Sequence, residues 1–301
     1  MKPTAHPQVS VVIPTYNHAH FLGNALQSVL DQSYSDWEAI VIDNHSSDNT
    51  DEVIHSFSDQ RIKFLKIHNN GVIAASRNAG IHAAQGKWIA FLDSDDRWGP
   101  RKLERCVAAL DAGADVVYHD LYTVRSSDQA LFEKRIVSTE PQHPMFVALL
   151  CTGMSIPNSS TVVRKDLLNR IGGLSENPDL ASVEDYDTWI RLARLTEKFV
   201  RIPECLGYYW LGGGNISAAS PKQIARIKVL YSQYLDDLPV KYRKKADGFL
   251  AYRIGRIAQQ HGNSEITIDS LKTALKSPID LIFRLKAAYW LTRGLLSKAH
   301  S

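Results

Sequence analysis

The stretch Trp88-Ile89-Ala90-Phe91-Leu92-Asp93-Ser94-Asp95-Asp96 places five apolar residues directly before three closely spaced carboxylates. The apolar run has the length of a buried strand and is too short for a helix. Gly86 stops the preceding helical pattern, and Pro100 suits the first turn of a new helix. The acidic residues are therefore predicted to lie where a central strand ends, which is the edge where open parallel α/β sheets bind ligands.

Three carboxylates within four positions raise one another's free energy unless a cation offsets the repulsion. Mg²⁺ or Mn²⁺ suits such a cluster, because these ions take one or two carboxylates together with substrate phosphates. The alternative for an Asp-rich segment is a solvated acidic turn without a bound ion.

Strand and helix patterns alternate through the residues that precede and follow this stretch. The expected strands are residues 9–13, 37–42, 62–67, 88–92 and 115–124, and the expected helices are residues 21–30, 46–57, 74–84 and 100–112. Ser46 or Ser47 is expected to cap the second of these helices. The alternation predicts a mainly parallel, doubly wound α/β sheet, in which the polar ends of the first, second and fourth strands form one site.

The second half of the chain has a weaker pattern and then becomes helical. Residues 126–144 are expected to form a loop, and two short strand segments are expected at residues 199–202 and 206–210. From residue 222 only helical patterns occur, with helices expected at residues 246–259, 266–275 and 279–297. We therefore expect one domain over residues 1–220 and an α-helical extension over residues 221–301.

Composition indicates an ordinary globular protein, with 44% hydrophobic and 22% charged residues among 301. Three widely spaced cysteines fit neither a disulfide framework nor a zinc site. No apolar signal core and no run of transmembrane length is found. These features predict a cytoplasmic protein, and a net charge of +3 gives no indication of a nucleic-acid partner.

Basic residues are concentrated in the C-terminal part of the sequence. Residues 221–301 hold 15 Lys or Arg and 6 Asp or Glu. Such an excess is compatible with peripheral association at the anionic inner face of a membrane. A solvated helical face explains the same charges without any membrane.

Five motifs in order resemble the inverting GT-A glycosyltransferases of family 2, which use nucleotide-sugar donors. The resemblance covers about residues 8–217. Its motifs are Val9-Ser10-Val11-Val12-Ile13-Pro14-Thr15-Tyr16-Asn17, Ile42-Asp43-Asn44-His45-Ser46-Ser47-Asp48-Asn49-Thr50, Asn70-Gly71 through Ala75-Ser76-Arg77-Asn78-Ala79-Gly80, Phe91-Leu92-Asp93-Ser94-Asp95-Asp96 and Glu184-Asp185-Tyr186-Asp187. The resemblance implies a GT-A fold, which is Rossmann-like, and a glycosyltransferase that depends on Mn²⁺ or Mg²⁺.

The resemblance also implies roles for particular residues. It assigns the metal to Asp96 and Asp95 and the general base to Asp185, while Asp93 supports the turn. It assigns the nucleotide to Pro14, Thr15, Tyr16, Asn44, Arg77, Ser94 and Asp95. The implied partners are a nucleotide-diphosphate sugar donor and a carbohydrate or lipid-linked saccharide acceptor, in bacterial surface polysaccharide or glycoconjugate assembly.

Two departures from the family pattern concern the donor. Asn44 stands where relatives often carry a second acid, which weakens the case for uracil and leaves thymine or guanine open. The segment Tyr209-Trp210-Leu211-Gly212-Gly213-Gly214 lacks the Arg and His that many relatives carry there.

Several alternatives stay open at the level of the sequence. Ser182-Val183-Glu184-Asp185 has the form of a capping box, so Asp185 could cap a helix instead of acting as a base. His18, His20 and His45 are expected to be structural, because they lack a metal-ligand spacing. Other functions that remain are a nucleotide-sugar-binding module without catalysis and a metal-dependent phosphatase. The sequence specifies neither the acceptor nor the oligomeric state.

Overall fold

A computed structural model describes residues 7–126, 129, 132, 134–212 and 219–299, with side chains described as far as residue 295. Part of the expected loop at residues 126–144 and the glycine pair Gly213-Gly214 lie outside these residues.

Nine strands form one sheet in the described part of the chain. They are β1 (Val9–Thr15), β2 (Trp37–Asp43), β3 (Ile62–Lys66), β4 (Trp88–Phe91), β5 (Arg97–Trp98), β6 (Val116–Val124), β7 (Arg135–Ile136), β8 (Val162–Arg164) and β9 (Phe199–Trp210). Every residue of β1, β2 and β4 is buried. This burial explains why their sequences are continuous apolar runs and do not alternate with polar residues.

The sheet has the order β3-β2-β1-β4-β8-β6-β9-β5. The short strand β7 is not part of this order and pairs with β6. The four strands from β3 to β4 are mutually parallel. Beyond them β8 is antiparallel to both of its neighbours, β6 is parallel to β9, and β5 is antiparallel to β9. The expected parallel half is present, and the remainder of the sheet is mixed.

Eleven α-helices occur among the described residues. They are α1 (Ala19–Leu30), α2 (Thr50–His55), α3 (Ile73–Ala83), α4 (Lys102–Asp111), α5 (Met145–Cys151), α6 (Lys165–Arg170), α7 (Glu184–Leu192), α8 (Pro221–Ser232), α9 (Val240–Gln260), α10 (Ser264–Lys276) and α11 (Leu281–Ala299). Among the described helices, none is both long enough and apolar enough to cross a membrane.

The chain divides into two compact units. The first, which we call the sheet unit, comprises residues 1–141, 155–176 and 195–214 and holds all nine strands with α1 to α4 and α6. The second, which we call the helical unit, comprises residues 142–154, 177–194 and 215–301 and holds α5 and α7 to α11.

Gly80 sets how closely α3 lies on the sheet unit's core. A Cβ atom at Gly80 would come within 2.6 Å of Val12 and 2.7 Å of Ile42. Any larger residue would therefore push the helix away from β1 and β2. The close approach fixes the position of Arg77, which lies one turn earlier on the same helix.

Several local predictions differ from the structure. The helix expected from Ser46 or Ser47 begins only at Thr50, because Ser46 is used elsewhere: its Oγ donates to Asp43 Oδ1 at 2.5 Å. The strand β5 was not expected, since Pro100 suggested a helix directly after the acidic residues. The two segments expected at residues 199–202 and 206–210 form one strand, β9, which runs through irregular pairing with β6 near Asp120.

Candidate functional site

The carboxyl ends of β1 and β2 are joined by hydrogen bonds. The Asn44 N–H donates to the Thr15 carbonyl oxygen at 3.1 Å. Asn44 Oδ1 accepts the backbone N–H of Asn69 at 2.8 Å, so the Asn44 amide lies with its NH₂ group directed away from that contact. Asp43 is buried and accepts the Ser46 N–H at 3.1 Å, which makes it a support of the loop. Asn44, not Asp43, is therefore the side chain left to meet a ligand here.

Two of the predicted nucleotide contacts, Thr15 and Tyr16, differ in exposure. Thr15 is buried, and its Oγ1 has no hydrogen-bond partner among the described residues. Tyr16 is 54% exposed, which leaves its ring available to a ligand. The loop that follows is held by Asn17, whose Oδ1 accepts the Ser47 N–H at 2.8 Å and whose φ of 51° suits an Asn. Pro14 lies in β1 directly before Thr15.

Arg77 and Asp93 form a pair at the end of β4. Arg77 is 4% exposed, and its Nη2 donates to Asp93 Oδ1 at 2.7 Å. The Asn158 amide donates to the same oxygen at 3.2 Å, and the Asp93 N–H donates to Ser159 Oγ at 3.1 Å. Asp93 is thereby held as a support of the turn. The structure gives Arg77 this partner, while its contact with a nucleotide stays a prediction.

Asp95 and Asp96 lie close to other carboxylates, and few neighbouring groups offset their negative charge. Burial, and then the charge of Asp93, raise the pKa of Asp95 to about 6. Burial, followed by the charges of Asp95 and Asp93, raises the pKa of Asp96 well above its ordinary value. Asp96 is 3% exposed, and its Oδ1 accepts the Trp210 N–H at 2.8 Å. Its Oδ2 is buried without a hydrogen-bond partner among the described residues.

The residues at this position fit a divalent cation that is shared with a ligand. A buried carboxylate oxygen without a partner, next to a second carboxylate, is an environment that a positive charge would stabilise. No group of three or more His, Cys, Asp or Glu is arranged to hold a metal within the described ranges. Mg²⁺ and Mn²⁺ do not need such a group, since one or two carboxylates and substrate phosphates suffice.

Some supporting contacts were not recognised in the sequence. Ser94 is buried, and His18 Nδ1 lies 2.9 Å from its Oγ. Burial, and then the charge of His20, lower the pKa of His18, so the ring favours the neutral state. Asn158 and Ser159 belong to none of the five motifs, yet they hold the Asp93 carboxylate and N–H. Such long-range partners carry no local signal in a sequence.

The predicted base lies at the start of α7, in the helical unit. Three acidic residues occupy the first turn, namely Glu184, Asp185 and Asp187. Glu184 and Asp187 are buried, whereas Asp185 is partly exposed. Asp187 Oδ2 accepts from Arg191 Nε at 2.7 Å, and Asp187 Oδ1 accepts from the Tyr234 hydroxyl. Of the three, Asp185 is therefore the side chain with access to a reactant.

The capping-box alternative for Asp185 is not supported. The N-cap position is Val183, which makes no side-chain cap, and helix α7 begins at Glu184. Ser182 adopts a φ of 65°, and its hydroxyl donates to Gln223 Oε1 at 2.6 Å. Because Ser182 is turned to another partner, it cannot complete the box. The acidic group still lies in the first helical turn, where the helix dipole favours the carboxylate form.

Comparison with known proteins identifies the family. The model of "Glycosyl transferase family 2" matches residues 10–172. The glycosyltransferase TuaG of Bacillus subtilis, named as a putative enzyme of teichuronic acid biosynthesis, is 28% identical over 230 residues, 75% of this chain and 88% of that protein. The uncharacterized glycosyltransferase alr2836 of Nostoc is 31% identical over 248 residues, 78% of this chain and 76% of that protein.

A solved structure shows the same fold. The structure of S. aureus TarS residues 1–349 with UDP aligns with a TM-score of 0.65 at 18% identity, covering 95% of this chain and 88% of that one. The GT-A-like α/β fold and the family resemblance predicted from the five motifs are thereby confirmed. The chain belongs to glycosyl transferase family 2 and is a glycosyltransferase.

Proposed function

We propose that the protein transfers a sugar, with inversion, from a nucleotide-diphosphate donor to an acceptor hydroxyl, with Mn²⁺ or Mg²⁺ bound at Asp96 and Asp95. The observation that carries the proposal is the Asp96 carboxylate, which is buried beside Asp95 and keeps one oxygen without a partner among the described residues. A protein with no cation to bind would gain stability by replacing such a group.

The donor would bind through the polar ends of the strands. Thr15 Oγ1 and the Asn44 NH₂ are the groups left for hydrogen bonds, Tyr16 offers an exposed ring, and Pro14 and Ser94 shape the adjoining backbone. When bound, Mn²⁺ or Mg²⁺ supplies positive charge to the leaving diphosphate. Asp185 would take the proton of the acceptor hydroxyl as that oxygen attacks the anomeric carbon. Inversion follows if attack and departure occur on opposite faces of that carbon.

The nucleobase is limited by Asn44. Its Oδ1 already accepts from Asn69, so the free NH₂ group is a donor. A donor at this position suits a carbonyl oxygen of the base, which uracil, thymine and guanine all carry. The preference for a thymine or guanine nucleotide over a uracil nucleotide therefore rests only on Asn44 standing where relatives often carry a second acid.

The acceptor would be a carbohydrate or lipid-linked saccharide of a bacterial surface polysaccharide. This part of the proposal is supported by the name of TuaG, which refers to teichuronic acid biosynthesis. We further propose peripheral association with the anionic face of a membrane through α11. The exposed apolar residues of this helix are Leu281, Ile282, Leu285, Tyr289 and Leu295.

The first test is Asp185→Asn. Release of nucleoside diphosphate is measured with UDP-, dTDP- and GDP-linked hexoses in Mn²⁺, with water alone and with a lipid-linked saccharide extract as acceptor. As the base, Asp185 contributes about 10²–10⁴-fold to the rate. Turnover per folded protein should therefore collapse in the variant, and it is normalised to folded protein because Asp185 Oδ1 also accepts the Tyr186 N–H at 2.6 Å and its loss as a carboxylate can change stability.

Asp236→Asn is the matched control, because Asp236 is an exposed acidic residue of the helical unit at the start of a short 3₁₀ turn. Its turnover should equal that of wild type.

A wild-type protein that binds nucleotides but releases no diphosphate in any condition would favour the non-catalytic module. Release of inorganic phosphate instead of nucleoside diphosphate would favour the phosphatase.

A further inference from the structure

Arg253 of α9 is a half-buried cation in the helical unit, and no motif drew attention to it. Its Cζ lies 4.9 Å from the ring centroid of Tyr186 and 5.9 Å from that of Tyr231. Its Nη1 is buried and has no hydrogen-bond partner among the described residues. A guanidinium with a buried, unpaired nitrogen is stabilised only if a negative charge lies close enough to compensate it.

The aromatic groups around Arg253 do not supply that charge. The Tyr186 hydroxyl donates to the Leu149 carbonyl oxygen, and the Tyr231 hydroxyl donates to that of Leu150 at 3.2 Å. Burial raises the pKa of both phenols, and it raises the pKa of the nearby Cys151 thiol to about 11. All three groups are therefore neutral at neutral pH, and the rings act on Arg253 through their π faces.

Asp185 is the carboxylate that interacts with this guanidinium. Burial lowers the pKa of Arg253, but Tyr231, Tyr186, the hydrogen bond with Tyr231 and the Asp185 carboxylate raise it, and the net direction is upward. Of these groups, Asp185 is the one that carries a negative charge at neutral pH, since both phenols are neutral there. Asp185 precedes Tyr186 in α7, so the ring next to Arg253 belongs to the neighbour of the predicted base. Of the other carboxylates in that turn, Asp187 is paired with Arg191, and neither Asp187 nor Glu184 is among the main groups that shift the pKa of Arg253.

We propose that Arg253 is a positioning residue for Asp185, which it keeps ionised and ready to accept a proton. This inference rests on the proposed role of Asp185 as the base. An opposite charge favours the ionised form of a carboxylate, and a base must be ionised before it can take a proton. The C-terminal helices thereby take part in the reaction although they lie beyond residues 10–172, where the family model matches.

Two variants of α9 separate this role from simple packing. Arg253→Met removes the charge and keeps most of the length of the side chain. Arg256→Met is the control, since Arg256 is also half-buried and lies over an aromatic ring, with its Cζ 3.7 Å from the centroid of Trp290. Arg253→Lys retains the charge. If Arg253→Met does not fold, Arg253→Gln removes the same charge with a polar group.

The first readout is a ¹³C NMR titration of the aspartate carboxyl groups in the full chain, with the Asp185 resonance assigned by its absence in Asp185→Asn. The midpoint of the Asp185 titration should move up by about one pH unit in Arg253→Met. It should stay near the wild-type midpoint in Arg253→Lys and in Arg256→Met. An unmoved midpoint in Arg253→Met or Arg253→Gln, or an equal movement in Arg256→Met, would overturn the proposal.

The second readout is the pH profile of nucleoside diphosphate release, measured with the hexose donor on which wild type acts. The acid limb in Arg253→Met should move to higher pH by about the same one unit, with about a tenfold loss at pH values well below the wild-type midpoint and little loss well above it. Donor affinity should not change. A fully active Asp185→Asn would remove the proposed function and leave the NMR result standing, whereas an inactive Asp185→Asn with an unmoved midpoint in Arg253→Met would remove only the role of Arg253.

Discussion

At the scale of single residues, the three carboxylates after β4 differ in what surrounds them. Asp93 is matched by Arg77, whose Nη2 lies 2.7 Å away. Asp96 faces no basic side chain within the described contacts and is repelled by Asp95 and Asp93. The same turn therefore contains one carboxylate that stabilises the fold and one whose charge is repelled, and the proposed cation would offset that repulsion.

Asp96→Asn tests this difference. The variant removes a buried, repelled charge and keeps an oxygen for the Trp210 N–H, so the melting temperature of the ligand-free protein should stay equal or rise. Nucleoside diphosphates should stabilise wild type in the presence of Mn²⁺, by about 2.7 kcal/mol when the ligand is a hundredfold above its Kd. In the variant this Mn²⁺-dependent stabilisation should be lost, as measured by thermal shift with UDP, dTDP and GDP.

The control for this prediction is Asp93→Asn, which should behave in the opposite way. It leaves Arg77 buried beside an uncharged partner, so melting should fall by several degrees while the Mn²⁺-dependent shift persists. If Asp96→Asn binds nucleotide with the same Mn²⁺ dependence as wild type, Asp96 is not a ligand of the ion.

At the scale of elements, local sequence patterns predicted the strands and helices themselves well. They predicted the order and direction of the strands in the sheet less well. The strands β1, β2, β3 and β4 lie where apolar β-branched runs indicated, because burial on both faces demands such runs. The insertion of β8 between β4 and β6 in the antiparallel sense was not predictable, since it depends on pairing between distant segments. The two-residue strand β5 is too short to show any period.

In the candidate site, too, the residues that belong to local motifs could be predicted and their long-range partners could not. The motif residues at strand ends were identifiable because they combine polar groups with a strand boundary, as at Thr15, Asn44 and Asp96. Their supports, Ser159 and Trp210, come from segments far along the chain. The capping box at Ser182 looked plausible in the sequence but is absent, because Ser182 bonds to Gln223, 41 positions away.

Helix α11 carries two apolar stripes, and only one of them is covered. Phe283 packs on Phe249 and Tyr252, Trp290 meets Arg256, and Ala287 is fully buried. The residues of the other stripe include Leu281, Leu285 and Tyr289, which are 69%, 63% and 54% exposed. Packing against the neighbouring helices thus leaves this second stripe unexplained. The exposed Lys286 and Arg293 flank it, which is the arrangement of helices that lie on anionic membranes.

We expect the protein to co-sediment with vesicles of phosphatidylcholine that contain phosphatidylglycerol, increasingly with the anionic share and less at high salt. The double variant Leu285→Ser with Tyr289→Ser should weaken this binding several-fold without lowering the melting temperature, because both side chains are exposed. Val240→Ser is the control, since Val240 is 77% exposed at the start of α9 and lies outside the stripe.

Binding that does not respond to anionic lipid would contradict the membrane assignment. A wild-type protein that is dimeric in solution, and that the same double variant makes monomeric, would assign the stripe to a second copy of the chain. The two results differ in whether lipid or protein concentration controls the association.

At the scale of the whole molecule, charge is unevenly distributed. Residues 1–220, with the acidic cluster, carry a net charge of −6, and residues 221–301 carry +9. A diphosphate would therefore be bound by a part of the chain that is itself acidic, which makes a metal cation more important for the charge balance than basic side chains. The basic part suits contact with an anionic surface.

The stability of the whole molecule should depend on pH through a buried cation in the core of the sheet unit. Lys102 of α4 is fully buried, and its Nζ has no hydrogen-bond partner among the described residues. It lies 3.5 Å from the ring centroid of Trp98. Burial lowers the pKa of Lys102 to about 8, and burial together with the charge of Lys102 lowers that of His119 to about 3.

These directions determine the sign of the effect. The unfolded chain holds the Lys102 proton more tightly than the folded protein, so Lys102 lowers the free energy of unfolding as pH falls from about 10.5 through 8. His119 acts likewise from pH 6.5 down to about 3. The free energy of unfolding should therefore fall on acidification in two pH ranges. The first lies between about pH 10.5 and 8 and comes from Lys102, and the second lies between pH 6.5 and about 3 and comes from His119.

Lys102→Met should remove the fall at alkaline pH. At pH 7 the variant should be more stable than wild type by about 2 kcal/mol, because about 3 kcal/mol of unfavourable protonation is removed and about 1 kcal/mol of cation–π contact is lost. The gain should be complete below pH 8 and should fade above pH 10.5, where lysine is neutral in both states. Urea unfolding between pH 6 and pH 11 measures it.

Lys87→Met provides the control for this experiment. Lys87 also lies over a tryptophan, with its Nζ 4.3 Å from the Trp88 ring centroid, but its side chain is exposed. Its replacement should change stability by no more than about 0.5 kcal/mol at any pH in the range. If Lys102→Met instead destabilises the protein at pH 7 by more than 1 kcal/mol, the buried ammonium stabilises the core through Trp98. The pH dependence of stability must then originate in other groups, of which His119 and the carboxylates after β4 would be the next to replace.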